Sequence, residues 1–235
     1  MNLLIIGCEW AGKRTLGDKI AKWWSEKTGS EYSPPPSGIH FHDHYTVPHV
    51  VHIGGHDHHK EQSEKDILKL NPGVLEHFQR YQIEYHFQPS FIEGGNHWNI
   101  DWYYADAVYA PVYWGFGGEG EYAARREARV HWDQRVVEAM PDTILVLIKA
   151  TPATIKQRKK DGVSPYPSRH ANTMFKSKDA KLILDLFQEE FDNSLIRQRF
   201  SIDTTNSTPD ESLDEFIKKA TPYLTHEDRT KISMD

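Results

Sequence analysis

Residues 7–15, Gly7-Cys8-Glu9-Trp10-Ala11-Gly12-Lys13-Arg14-Thr15, place two glycines, a lysine and a hydroxyl in the pattern Gly-x-x-x-x-Gly-Lys-x-Thr. Such a loop handles phosphates. Glycines let the backbone curl until its N–H groups converge, and the lysine adds a point charge for the β- and γ-phosphates of a nucleotide. The surrounding order of elements fits. Residues 3–6 read as a buried parallel strand, and Leu16, Ile20, Ala21 and Trp24 mark the apolar face of a helix starting at the loop. Gly7, Trp10, Ala11, Gly12, Lys13, Arg14 and Thr15 are therefore the expected binders of ATP. Arg14 fills the slot after the lysine, where a Ser or Thr ordinarily reaches Mg²⁺, so Thr15 is the hydroxyl left for that ion.

Phosphoryl transfer is mostly positioning and neutralisation of charge, and it needs carboxylates and arginines besides the loop lysine. In an open α/β sheet these groups lie just beyond the carboxyl ends of the strands. Apolar runs at 2–6, 38–42, 89–93, 143–149 and 199–202 alternate with helical spacing at 72–86, 127–140 and 209–223. The expectation is an α/β fold: a five-stranded parallel sheet flanked by helices. The strand-end rule selects Asp43 with His44, Glu93, and Thr205. Glu93 is the expected holder of Mg²⁺ or acceptor of the attacking hydroxyl's proton, with Asp43 as the competing base. Arg158, on a Pro-started helix after the fourth strand, is the expected neutraliser of transition-state charge. Arg126 is a candidate for the acceptor's phosphate, or else part of a salt-bridged helix face. Arg80 is weighed between a binding role and a solvated charge.

The 235-residue chain carries 28 Lys and Arg against 34 Asp and Glu, a formal charge of -6 that offers no global basic footprint for duplex nucleic acid or an anionic membrane. Its one cysteine, Cys8, excludes an internal disulfide and reads as a small loop residue. No apolar run reaches the roughly 18 residues of a membrane span, and the amino terminus lacks a secretory pattern. A cytoplasmic protein is expected. Eight of the 14 histidines fall between His40 and His59. That density raises a metal hypothesis, although no familiar zinc-ligand spacing is present. The aromatic segment 98–114 could stack an acceptor base or pack a homodimer interface.

The loop 7–15, the segment 143–160, and Asp203-Thr204-Thr205 followed by Thr208-Pro209-Asp210-Glu211 together resemble the nucleoside and nucleotide kinase group of P-loop proteins, thymidylate and deoxynucleoside kinases among them. The resemblance implies a P-loop NTPase three-layer sandwich, one kinase-like domain over 1–235, with a His-rich insert at about 40–60 and a lid-like segment at about 158–172. It implies ATP- and Mg²⁺-dependent phosphoryl transfer to a nucleoside monophosphate or a (deoxy)nucleoside. By position in the family, Thr205 would lie near the donor adenine, Arg80 on the acceptor-side helix, and Tyr109 in the segment lining the acceptor base. The acidic role at the third strand's end would fall to Glu93. A kinase of another small metabolite or of a polynucleotide end is the near alternative. A nucleotide- and metal-binding regulatory protein without transfer activity is the distant one.

Overall fold

The computed structural model describes residues 1–30, 40–43, 60–93, 96–162 and 172–232. Strands β1 (Leu3–Gly7), β2 (His40–Asp43), β3 (His97–Ile100), β4 (Ile144–Lys149) and β5 (Arg199–Asp203) form one sheet among the described residues, in the order β2-β3-β1-β4-β5. Every pairing is parallel. β1 lies at the centre and is buried along its whole length, as are the first five residues of β4. Strands covered on both faces read as unbroken apolar runs, which is why these two are plain in the sequence.

The helices are α1 (Lys13–Thr28), α2 (Lys60–Ile67), α3 (Pro72–Tyr85), α4 (Pro89–Ile92), α5 (Trp102–Tyr109), α6 (Arg125–Ala139), α7 (Pro152–Asp161), α8 (Ala180–Asp192), α9 (Pro209–Ala220) and α10 (His226–Ile232). One group packs α1 against α9 and α10, and another packs α5 against α3, α6 and α8. α1 buries Leu16, Ile20, Ala21 and Trp24, the expected apolar face. α9 starts with the capping box expected from its sequence: Thr208 accepts from the Glu211 N–H while the Glu211 carboxylate accepts from the Thr208 N–H.

Four of the five expected strands coincide with observed ones, and the third does not. Residues 89–92 form the short helix α4, whose proline stands at the first helical position and is preorganised for it. The third strand is instead His97–Ile100. It reads poorly as a strand because His97 and Asn99 alternate with Trp98 and Ile100, yet all four residues are buried. The pair is partly satisfied internally, with the Asn99 side-chain oxygen left without a partner among the described residues. The His97 ring bonds to the His86 carbonyl at 3.0 Å, and the Asn99 amide lies 3.0 Å from the other nitrogen of that ring. Burial pulls the His97 pKa down to about 4, so the ring is neutral at ordinary pH.

The aromatic segment is core. Trp98, Trp102, Tyr103, Tyr104, Tyr109 and Trp114 are all buried. Tyr103 and Tyr104 stack at 4.8 Å and both donate to Asp133, at 2.7 and 2.8 Å. α5 then runs into a π-helical turn, Ala110–Trp114. No helix among the described residues is long and apolar enough to cross a membrane.

Candidate functional site

The glycine-lysine loop leaves the carboxyl end of β1, where the sheet rule places ligand chemistry. Its turn is closed by the Ala11 N–H donating to the Cys8 carbonyl at 3.1 Å, and α1 begins directly at Lys13. Gly7 is required by space: a Cβ there would stand 2.5 Å from the Ile148 carbonyl oxygen on β4, and its φ of +150° disfavours any other residue. The Cys8 side chain is fully buried, and burial raises its thiol pKa well above the usual value, so it fills the loop as an unreactive group.

Lys13 does not extend into solvent. It is buried, donates to the Gly7 carbonyl, forms an ion pair of 2.6 Å with Asp101, and lies 5.7 Å from the centre of the Phe187 ring. Asp101 is the residue that sequence reasoning missed. It directly follows β3, is wholly buried, and accepts from the Gly7 N–H at 3.0 Å while its own N–H donates to Ile5 at 2.7 Å. One carboxylate thus binds the first loop glycine and the loop lysine together. Asp101 and Trp102 take φ values of +65° and +42°, and Trp10 in the loop takes +67°. Ala123 is the remaining non-glycine residue with positive φ among those described. Backbone conformations of this kind cost about 1–3 kcal/mol each and gather at functional sites, so their coincidence here counts in favour of one.

α5 grips the loop a second time. The Tyr109 hydroxyl accepts from the Glu9 N–H at 3.2 Å, and burial pushes its phenol pKa well above 10, keeping it neutral. Tyr109, expected in the segment lining an acceptor base, braces the glycine-lysine loop through this contact. Arg158 is likewise committed: its guanidinium donates to the Trp10 and Ala11 carbonyls at 3.3 and 3.1 Å and to the Thr204 hydroxyl at 3.0 Å. The Thr204 hydroxyl in turn donates to Ala11 at 2.6 Å. Arg158 thereby ties the loop to the turn after β5. In that turn, the Thr205 N–H donates to Asp203 at 2.8 Å and its hydroxyl accepts from Thr151 at 3.1 Å.

The remaining candidates divide. Thr15 is half-buried on the first turn of α1, and Arg14 pairs with Asp18 at 2.8 Å. Asp43 ends β2 in register with Ile100, the residue before Asp101. Glu93 is exposed and caps α4 instead of ending a strand, because the apolar run before it folds as that helix. Arg80 is 44% exposed and pairs with Glu76 at 2.5 Å across one helical turn. Arg126 joins α6 to α8 through Glu189 and Glu190, each at 2.6 Å, which is the salt-bridged alternative. His44, most of the His-rich stretch, and residues 163–171 of the lid-like segment lie outside the described residues. Among the described residues no group of three His, Cys, Asp or Glu side chains is placed to hold a metal ion.

Fold and site together define a class: an α/β protein whose parallel sheet carries a glycine-lysine loop on its central strand, with an acid from the neighbouring strand seated against it. No protein-family model matches the chain, and no curated protein matches it. Among solved structures the chain is similar to the YorR protein of Bacillus subtilis, crystallised in complex with phosphorylated GDP. The likeness has a TM-score of 0.51 at 16% identity, covering 96% of this chain and 100% of that one. At that identity it speaks for a shared fold.

Proposed function

We propose that the protein is a P-loop kinase, folded as one domain, that transfers the γ-phosphoryl group of ATP to a nucleoside monophosphate or a (deoxy)nucleoside. The observation that carries the reading is the Lys13–Asp101 pair at the mouth of the loop: a cation suited to a phosphate and a carboxylate suited to an attacking hydroxyl, 2.6 Å apart at adjoining strand ends. The YorR structure, determined with a guanine nucleotide, is consistent with a nucleotide ligand on this fold.

In this reading the loop amides and Lys13 receive the donor phosphates. Lys13 turns from Asp101 toward the phosphates, which compete with the carboxylate for its charge. Asp101, released, accepts a hydrogen bond from the acceptor hydroxyl and orients it. Arg158 holds the loop and the turn at Thr204 and Thr205 in one arrangement, so the donor enters a formed cradle. The Thr15 hydroxyl and the Asp101 carboxylate are hard oxygen donors of the kind that would suit Mg²⁺. When bound, that ion supplies charge neutralisation on the phosphates.

The test is ADP release from ATP and Mg²⁺ across a panel of nucleosides, nucleoside monophosphates and small hydroxylated metabolites, with Lys13→Ala as control. Release that depends on both acceptor and Lys13 is expected. Normal turnover by Lys13→Ala would sink the assignment.

A further inference from the structure

Arg14 stands where a hydroxyl ordinarily reaches the metal ion of such a loop, and the site described above gives it no part. An arginine cannot replace that hydroxyl. It has no acceptor atom, keeps its charge at every ordinary pH, and repels a divalent cation placed beside it. The slot has thus changed from holding a cation to being one. Arg14 lies on the first turn of α1, next to Lys13. The Cα–Cβ bonds of a helix tilt toward its amino end, so the Arg14 stem leans to the loop, and the Asp18 carboxylate leans back one turn to meet it at 2.8 Å.

The cations around the loop differ in what it takes to redirect them. Lys13 and Asp101 are both buried, and removing one partner from a pair of that kind shifts an equilibrium by more than about a hundredfold. Arg158 is fastened to the Trp10 and Ala11 carbonyls and to Thr204, and it shapes the loop itself. The Arg14 and Asp18 side chains retain 17% and 27% exposure, and an i,i+4 pair open to water is worth only about twofold. Phosphate offers far more. A guanidinium bonds two of its oxygens at once, and a hydrogen bond to a charged group is worth about ten- to a hundredfold. Arg14 is therefore the loop cation most easily turned to an incoming anion.

On the kinase reading above, we propose that Arg14 binds the donor's phosphates in place of an ion ligated at its slot, and that Asp18 is its positioning residue, giving it up when the phosphates arrive. The ligand class is a nucleoside triphosphate, whether free or complexed with Mg²⁺. Lys13 and Arg14, cations at successive positions, then neutralise the phosphates from the side of the protein. Donor binding accordingly ceases to depend on the ion.

The experiment is calorimetric titration of ATP into the full chain, Arg14→Ser and Asp18→Asn, each in EDTA and in excess Mg²⁺ at one ionic strength. The wild-type protein should bind with the same Kd under both conditions. In EDTA, Arg14→Ser should bind about ten- to fiftyfold more weakly, the bonds to phosphate less about twofold for leaving Asp18. Added Mg²⁺ should recover most of that loss, because serine restores the hydroxyl that the ion ordinarily uses. Asp18→Asn should bind about twofold more tightly in EDTA, having lost the competing carboxylate. Arg14→Ser equal to wild type in EDTA overturns the proposal, as does a wild type that loses ATP on removal of Mg²⁺ as steeply as Arg14→Ser does. Weaker binding by Asp18→Asn overturns the release of Arg14 from Asp18. Lys13-dependent transfer beside any of these results leaves the kinase reading standing, whereas absence of ATP binding under both conditions removes both. Neither substituted side chain belongs to the buried face of α1 at Leu16, Ile20, Ala21 and Trp24, so both variants should fold.

Discussion

Replacing Asp101 by Asn isolates the charge of the pair at the centre of the site. Asn tolerates a φ of +65°, and its amide oxygen can still accept from the Gly7 N–H, so the backbone and the loop tether are retained. What disappears is the counter-charge of a lysine that is 6% exposed. Removing one partner of a buried pair costs about 3–5 kcal/mol. Lys13 keeps the Gly7 carbonyl and the Phe187 ring, which places the expected loss at the lower end, about 3 kcal/mol. In a chain of this length each kcal/mol moves the melting temperature by about 2–4 °C, so the variant should melt about 6–12 °C lower. ATP should narrow the gap, because its phosphates replace Asp101 as partner of Lys13. Ligand at a hundred times its Kd stabilises by about 2.7 kcal/mol, and the variant, freed of a competing carboxylate, should bind at least as tightly. Phosphoryl transfer should move the other way, falling about 10²–10⁴-fold. Thermal melts with and without ATP, alongside ADP release, read all three effects. A variant that melts with the wild type in the absence of nucleotide refutes the pairing argument, and one that turns over normally refutes the role given to the acid.

Three further outcomes are expected. Arg158→Ala loses its bonds to the Trp10 and Ala11 carbonyls and to Thr204, and should cost about 2 kcal/mol in a urea titration; Arg158→Lys should recover little, because an ammonium cannot span the fork. Gly7→Ala should cost about 3 kcal/mol or more, since its Cβ would press the Ile148 carbonyl and separate β1 from β4; a urea midpoint equal to wild type would contradict the close approach. His97 is depressed from 6.5 to about 4 in the folded chain, so between these values the unfolded chain binds the extra proton and stability falls with falling pH. Asp106, raised to about 7, works against this trend over the same range. Subtracting the pH profile of His97→Gln from that of the wild type removes the opposing term. The difference should grow by up to about 3 kcal/mol between pH 4 and 6.5, and a flat difference would contradict the burial argument.

What the sequence disclosed followed how plainly each element displays its burial. β1 and β4 are apolar throughout, and α1 and α9 carry clean apolar faces, so the loop and its helix were legible residue by residue. β3 was not, because half of its four buried residues are polar, His97 finding its partner in the His86 carbonyl outside the strand. The strand-end rule was therefore applied eight residues too early, at Glu93 in place of Asp101. A usable signal was present: Asp101 precedes the strongly apolar, aromatic helix α5, as a strand-end acid before its crossover does. Arg126 and Arg158 show a further limit. A basic residue on a helix has the same appearance in sequence whether it faces a phosphate, a carboxylate of α8 or the carbonyls of a loop.

The double grip of α5 on the loop, through Asp101 at Gly7 and Tyr109 at Glu9, constrains how such a chain can diverge. Inserting or deleting one residue between them would rotate one contact about 100° around the helix and shift it about 1.5 Å along the axis, releasing one end of the loop. The spacing from Asp101 to Tyr109 is therefore frozen by the loop, and descendants of this scaffold should change length elsewhere and leave that spacing untouched.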